Sequence, residues 1–329
     1  MDSKLNKAIG VAFDGRASLL DLAQQAQIAE AAGAQTLWIA CHLFLRDPIT
    51  SAHKVLSTTE TIKVALMALS PYSMHPVMIA MSAVALEELF PGRVILCLGV
   101  GAPGDLAAAG IQSPKPLSTL RESITLCRAL FRGETLSHHG NIFQVQGRSL
   151  ANPAPNIPIV LAASGEKMLE MGGALCDGVL LSAATSTPFL NQCLSFIKKG
   201  ESYRKIDTPC AKMAIVYTSL NHDYQVALQD IRQKLGFILR GTHHAQNIEL
   251  ANTNLNQAAL WDAYLASDWH TVENLITNEV ISAHAAAGDS ETVKKRYLEY
   301  RSLGLDELII GGIDDSLGIK NALEILTSN

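Results

Sequence analysis

The chain reads as an α/β protein built as a closed (β/α)8 barrel with excursions after the fourth and seventh strands. Eight short apolar runs alternate with longer stretches of helical period along 329 residues. The runs are continuously apolar rather than alternating, as strands covered on both faces must be. No linker rich in Pro, Gly or Ser divides the chain. A single domain over 1–329 therefore fits better than two halves of an open, doubly wound sheet.

AIGVAF, at about 8–13, is the first strand. Ser18 is placed to cap a helix that runs to Ala32, and Gly33 stands where a left-handed residue ends one. TLWIAC, ending at Cys41, is the second strand, and Arg46-Asp47 then braces a turn and loop. IKVALMAL (62–69) is the third; a helix from Pro76 to Leu89 follows and Pro91-Gly92 closes it. RVILCLGVG (93–101) is the fourth, with Arg93 at its base as a structural hydrogen-bond donor. A helix over about 118–131 and a hairpin over 133–147 make the first excursion. IPIVLAA (157–163), DGVLLSA (177–183) and AKMAIVYTSL (211–220) are the next three strands, with helices of about 165–174, 187–199 and 223–238. A polar helical region over 241–285 is the second excursion; helix 290–303, strand DELIIGG (306–312) and a last helix complete the count.

Apolar residues make up 48% and charged residues 17%, so a large core forms and disorder is disfavoured. A net charge of −5 leaves no basic footprint for nucleic acid or an anionic membrane. The start, MDSKLNKAIGVAFDG, lacks the apolar stretch of a signal peptide, and no segment offers a membrane span. Cysteines 41, 97, 127, 176, 193 and 210 are scattered without a C-x-x-C pair, as small core residues of a cytoplasmic protein are.

In such a barrel the chemistry gathers at the C-terminal ends of the strands. The residues there include Asp14, His42, Ser70, Gly101 and Ser164-Gly165. GVGAPG (99–104) satisfies the dinucleotide fingerprint, yet the stretch after it is broken by Gly and Pro, and no acid follows at ribose distance. Gly99 and Gly101 are better read as allowing close backbone approach at the mouth. AASGEKMLEMGG (162–173) turns from strand into helix at Ser164-Gly165. The free N–H groups of that helix start, with the Ser164 hydroxyl and Lys167, would cradle a phosphate; a simple cap is the plainer role for Ser164. His42 is placed to act as acid, base or donor. Cys41 packs inward, His75 caps a helix or borders the site, and the pairs His138-His139 and His243-His244 are solvated.

Four segments carry a family resemblance: AEAAGAQTLWIACHLFLRDP, TIKVALMALSPYSMHPVMIAMSAVALEELFPGRVILCLGVGAPGDL, LRESITLCRALFRGETLSHHGNIF and PIVLAASGEKMLEMGGALCDGVLL. In that order they resemble the bacterial luciferase-like flavin monooxygenase superfamily, including its deazaflavin-dependent methylenetetrahydromethanopterin reductases, from about Gly10 to Gly312. The resemblance implies a reduced flavin or deazaflavin across the C-terminal mouth. Its phosphate would lie on the turn of Ala163, Ser164, Gly165, Glu166, Lys167 and Met168, with Gly99 and Gly101 alongside. A non-prolyl cis peptide at Met67-Ala68 would back the ring, and His42 would stand at the reactive ring edge near Asp14, Cys41 and His75. The sequence departs from the family pattern at Cys41, where relatives carry an acid, at Met74-His75-Pro76 for Arg-His-Pro, and after Gly101, where an acid is missing and only Asp14 or Asp105 could substitute.

The leading expectation is a monooxygenase using reduced FMN from a separate flavin reductase. The mouth loops show few Lys or Arg for the acidic tail of coenzyme F-420, which is the alternative cofactor, of a hydride-transfer reductase. A non-catalytic flavin-binding protein is the third reading. The partners expected are a small-molecule substrate and a second copy of the chain, through barrel helices such as 76–89.

Overall fold

The computed structural model describes residues 8–328. Numbering the barrel strands alone, these are β1 (Ala8–Phe13), β2 (Thr36–Ala40), β3 (Lys63–Leu69), β4 (Val94–Leu98), β5 (Ile159–Ala162), β6 (Gly178–Leu181), β7 (Ala211–Leu220) and β8 (Glu307–Gly311). Each pairs in parallel with its sequence neighbour, β8 returns to β1, and β6 joins β7 through Gly178↔Ala211 to Leu181↔Ala214, which closes the barrel. The excursions lie where the sequence puts them. The first is an antiparallel pair, Leu136–His139 with Gln144–Arg148. The second is a run of short helices between Ala245 and His284, after which Ala286–Gly288 adds three residues beside the far end of β7.

Local chemistry explains the element ends. The Ser18 hydroxyl accepts the Asp21 N–H at 3.1 Å, and Gly33 takes φ +92° just past the helix. One stretch expected as loop is a helix: Pro48–Thr58. Asp47 Oδ1 caps it by accepting the Thr50 N–H at 2.7 Å, and Pro48 stands in its first turn, where a missing N–H costs nothing. Arg93 donates to the carbonyls of Ile62, Leu56 and Thr59, tying the base of β4 to that helix and to β3.

Strand alternation sorts the core into two shells. Trp38, Ala65, Cys97, Val160, Leu180, Met213, Ile215 and Ile309 fill the lumen. The intervening residues, among them Leu37, Ile39, Leu66, Leu96 and Leu161, pack outward against the helices. All six cysteines are free, and all but Cys41 are buried.

The base of the lumen holds one buried acid. Trp38 Nε1 donates to Glu307 Oε1 at 2.9 Å and the Thr36 hydroxyl donates to the same oxygen. Gly10 leaves the room, since a Cβ there would collide with both partners. Burial pushes the Glu307 carboxyl above the usual carboxylate range. The folded state thus holds this proton more tightly than the unfolded chain does. Its stabilising contribution is complete below the unfolded pKa and is lost as pH rises through the folded value. Glu307→Gln keeps an acceptor for Trp38 without the ionisation. Thermal unfolding should show wild type losing roughly 2–4 °C relative to Glu307→Gln between acid and neutral pH; Tm profiles that run parallel would refute the buried charge.

Candidate active site

At the C-terminal end the lumen changes from bulky to small residues. Ala12, Ala68, Ala162 and Ala183 pack on the lumen cluster and remain half-buried, with Met67 and Tyr217 as larger neighbours. β3 breaks register with β4 between Leu66 and Leu69, and the Met67–Ala68 peptide there is cis, at the position the resemblance implies. Gly99 faces this bulge: a Cβ on it would lie 2.9 Å from Ala68 Cβ. A second non-prolyl cis peptide, Ser182–Ala183, stands at the end of β6, and no sequence signal foreshadows it.

His42 follows β2 directly. The Cys41 N–H donates to the Met67 carbonyl at 2.6 Å, so the end of β2 is pinned to the bulge of β3. His42 Nδ1 then lies 3.5 Å from Asp105 Oδ2. Asp105 belongs to a short helix, Pro103–Ala108, in a stretch that looks too broken for one; buried Leu106 anchors it. Gly101 takes φ +95° with Ser70 close beside it, and the Ser70 hydroxyl donates to the Val100 carbonyl at 2.6 Å. Cys41, Leu43, Ser70, Ser73, Gly101, Ala102, Asp105 and Leu106 thus border one small cavity. Burial pushes the Cys41 thiol up to about 11, which keeps it neutral and unreactive at neutral pH.

The other predicted neighbours have structural partners. Asp14 accepts the Arg16 N–H at 2.9 Å and pairs with its guanidinium. Arg46 donates to the Arg16 carbonyl at 2.6 Å, stitching the loops after β1 and β2 together. His75 is the helix cap: its Nδ1 accepts the Val77 N–H at 3.2 Å, and its ring meets Phe143 edge-on.

The turn after β5 is open. Gly165, not Ser164, is the N-cap of the helix Glu166–Leu175, with no side-chain cap bond, and a Cβ on Gly165 would meet nothing within 4 Å. The first N–H groups of that helix have no intrahelical acceptor. Lys167, which the sequence suggests for a phosphate, has acidic neighbours. Its ammonium lies 3.3 Å from Glu170 and 3.9 Å from Glu166, both of which Lys199 also approaches. What the turn presents is open backbone, with no cap bond from the Ser164 hydroxyl. Ala163 and Met168 flank it, half-buried.

The second excursion is less polar than expected and supplies what the sequence reading missed. His244 is buried rather than solvated, its pKa pushed down to about 3 by burial. Asn247 Nδ2 and His284 Nδ1 both donate to the Ala184 carbonyl at 2.8 Å, and Asn247 Oδ1 accepts the Ser186 N–H, which fastens the excursion to the loop after β6. Burial holds His284 down at about 4, hence neutral. On the other side, Arg240 lies 4.1 Å from the Phe237 ring and 4.3 Å from Tyr264, and Arg16 approaches Phe237 at 5.9 Å. The apolar spacing of Ile248, Leu260, Val272, Ile276 and Val280 was the available signal for this packed unit. Among the described residues no group of side chains could hold a metal ion, and no helix is long and apolar enough to cross a membrane.

The family model for luciferase-like monooxygenases matches residues 7–307. Among curated proteins, the chain is similar to the 5,10-methylenetetrahydromethanopterin reductase of Archaeoglobus fulgidus, 27% identical over 310 residues and 92% of each chain. The Methanolobus tindarius enzyme of the same name is 28% identical over 92% of this chain and 93% of its own. Among solved structures, the coenzyme F420-dependent tetrahydromethanopterin reductase of Methanopyrus kandleri superposes with a TM-score of 0.88 at 20% identity, covering 98% of this chain and 97% of that one. The monooxygenase RslO1 of Streptomyces bottropensis reaches 0.70 at 15% identity, covering 97% of each. With the family model spanning nearly the whole barrel, the chain belongs to the luciferase-like monooxygenase family and is an oxidoreductase.

Proposed function

We propose that the protein is a deazaflavin-dependent oxidoreductase, moving a hydride between coenzyme F420 and a small organic substrate. This reverses the preference for FMN and oxygen drawn from the sequence. The observation that carries it is likeness over the full length: methylenetetrahydromethanopterin reductases match 92% of the chain in sequence, and the fold lies nearer a coenzyme F420-dependent reductase, at 0.88, than a monooxygenase, at 0.70. The argument from scarce basic residues also weakens. Arg240, held between two aromatic rings, forms no ion pair among the described residues and offers a planar cation at the mouth.

The residues present suit such a cofactor. The uncapped N–H groups after Gly165, with Ser164, would hold its phosphate, and Ala12, Ala68, Gly99, Ala162 and Ala183 form a floor low enough for a flat ring system. When bound, a 5-deazaflavin supplies two-electron hydride chemistry without activating oxygen. His42 stands beside that floor and would take or give the substrate proton that accompanies the hydride. No separate flavin reductase is required on this reading. A second copy of the chain is the proposed partner, seated on the exposed Met78, Met81 and Leu89 of the helix Pro76–Leu89.

Titration of the purified protein should show F420 bound at least tenfold more tightly than FMN; tighter FMN binding overturns the proposal. Ser164→Glu, which sets a carboxylate against phosphate, should weaken F420 by at least about tenfold with the fold intact. In the hydride-transfer assay, His42→Ala should lower kcat by about 100-fold with cofactor affinity unchanged, and unaltered turnover would remove its role. Light scattering should report a dimer that Met81→Lys dissociates, so a monomeric wild type ends the oligomer proposal.

A further inference from the structure

We propose that Asp105 is the positioning residue of His42. Its carboxylate, delivered from the loop after β4, takes the place of an acid beside the histidine on β2 and fixes the imidazole as the Nδ1–H tautomer, so that Nε2 is the atom offered to the ligand.

The placement is specific. Asp105 Oδ2 lies 3.5 Å from His42 Nδ1, and His42 is the only side-chain partner of this carboxylate among the described residues. The other acids of this rim are engaged: Asp14 by Arg16, Asp47 by the helix it caps, Asp314 by Lys234 at 2.6 Å. Nor is Asp105 on a free loop. Leu106 beside it is buried, and its carbonyl accepts the Ile111 N–H at 2.8 Å. Gly101 brings the segment against Ser70, because a Cβ there would press on Ser70 at 3.3 Å and on Leu106 at 3.4 Å. The helix Pro103–Ala108 is therefore a mount, and the charge on it faces His42.

The same arrangement accounts for cysteine at position 41. Asp47 and Asp105 both act on the Cys41 thiol in the direction that disfavours a negative charge, as does its burial. A carboxylate at 41 would meet the same two like charges. One acid serves the histidine from across the cavity, and the position beside it is neutral. In water a neutral imidazole carries its proton mainly on Nε2; a carboxylate on Nδ1 reverses that preference through a charge-assisted hydrogen bond.

Only the activity arm of the test rests on the deazaflavin reading. Full-length protein labelled with 15N-histidine reports the tautomer of each ring directly, and His42→Ala identifies the signals of His42. Wild type should show His42 protonated on Nδ1, and Asp105→Ala should shift it to the Nε2–H form with an unchanged circular dichroism spectrum. A wild-type His42 already in the Nε2–H form, or no change in Asp105→Ala, overturns the proposal. In hydride transfer Asp105→Ala should lower kcat at least tenfold with KM within about twofold, and adding Cys41→Asp should recover at least threefold of it. Loss of KM alone would overturn the positioning role. A tautomer switch in protein that binds no deazaflavin supports the pairing and overturns the cofactor reading instead.

Discussion

Closure of the sheet between Gly178–Leu181 and Ala211–Leu220 is the constraint on which the molecule depends. Until β6 bonds β7, the parallel strands have two open edges and a lumen that cannot be filled. Once it does, inward positions of all eight strands converge on Trp38, Leu180, Met213 and Ile309, and every strand end points to the same face. Residues far apart in sequence then meet at that face without any of them having to hold the fold together. The barrel is stabilised at its base and in its outer shell, where Arg93 and the Glu307 network lie, which leaves the mouth free to carry small side chains and open backbone.

Those small side chains are a matter of geometry rather than filling. Gly99 has no Cβ because Ala68 occupies that place, and Ala68 comes there because β3 bulges between Leu66 and Leu69. The bulge in turn presents the Met67 carbonyl to Cys41, which fixes the chain direction from which His42 departs. A single irregularity in β3 thus shapes the floor and aims the histidine. Substituting Gly99 would disturb both, although it contacts neither His42 nor the turn at Ser164.

The strands are legible in the sequence because each is a continuous apolar run, and their order alone places His42, Gly101 and Ser164 on the same end. What escaped was set by tertiary partners. Pro48 reads as a turn residue until Asp47 is seen to cap a helix whose inner face, Ala52, Val55 and Leu56, is apolar. Asp105 opens a stretch broken by Gly110, Pro114 and Pro116, and its relation to His42 crosses from one strand to another. Lys167 reads from sequence as a phosphate ligand, and only in space does it show Glu166 and Glu170 beside its ammonium. His244 was misplaced for the opposite reason: a polar pair suggests solvent, whereas Asn247 and the apolar residues that follow bury it.

The two halves of the mouth are built by different means. From β2 to β5 the rim consists of short turns bonded to adjacent strands, with the imidazole and the phosphate-sized opening fixed by backbone. Over β7 and β8 the rim is the excursion packed on helix Tyr224–Leu239, and the two share a core, Leu228, Leu235, Leu260, Val272 and Val280, distinct from both barrel shells. Asn247 and His284 bond it to Ala184, Lys234 of the helix it packs on bonds Asp314, and Tyr217 packs against both this core and the lumen. Changes within such a unit alter the exposed Trp261, Trp269 and Arg240 without disturbing lumen packing, whereas changes on the first half move the chemistry itself. On the proposed reading, the strand ends near His42 would set the reaction, and the helices across the mouth would shape the space for substrate.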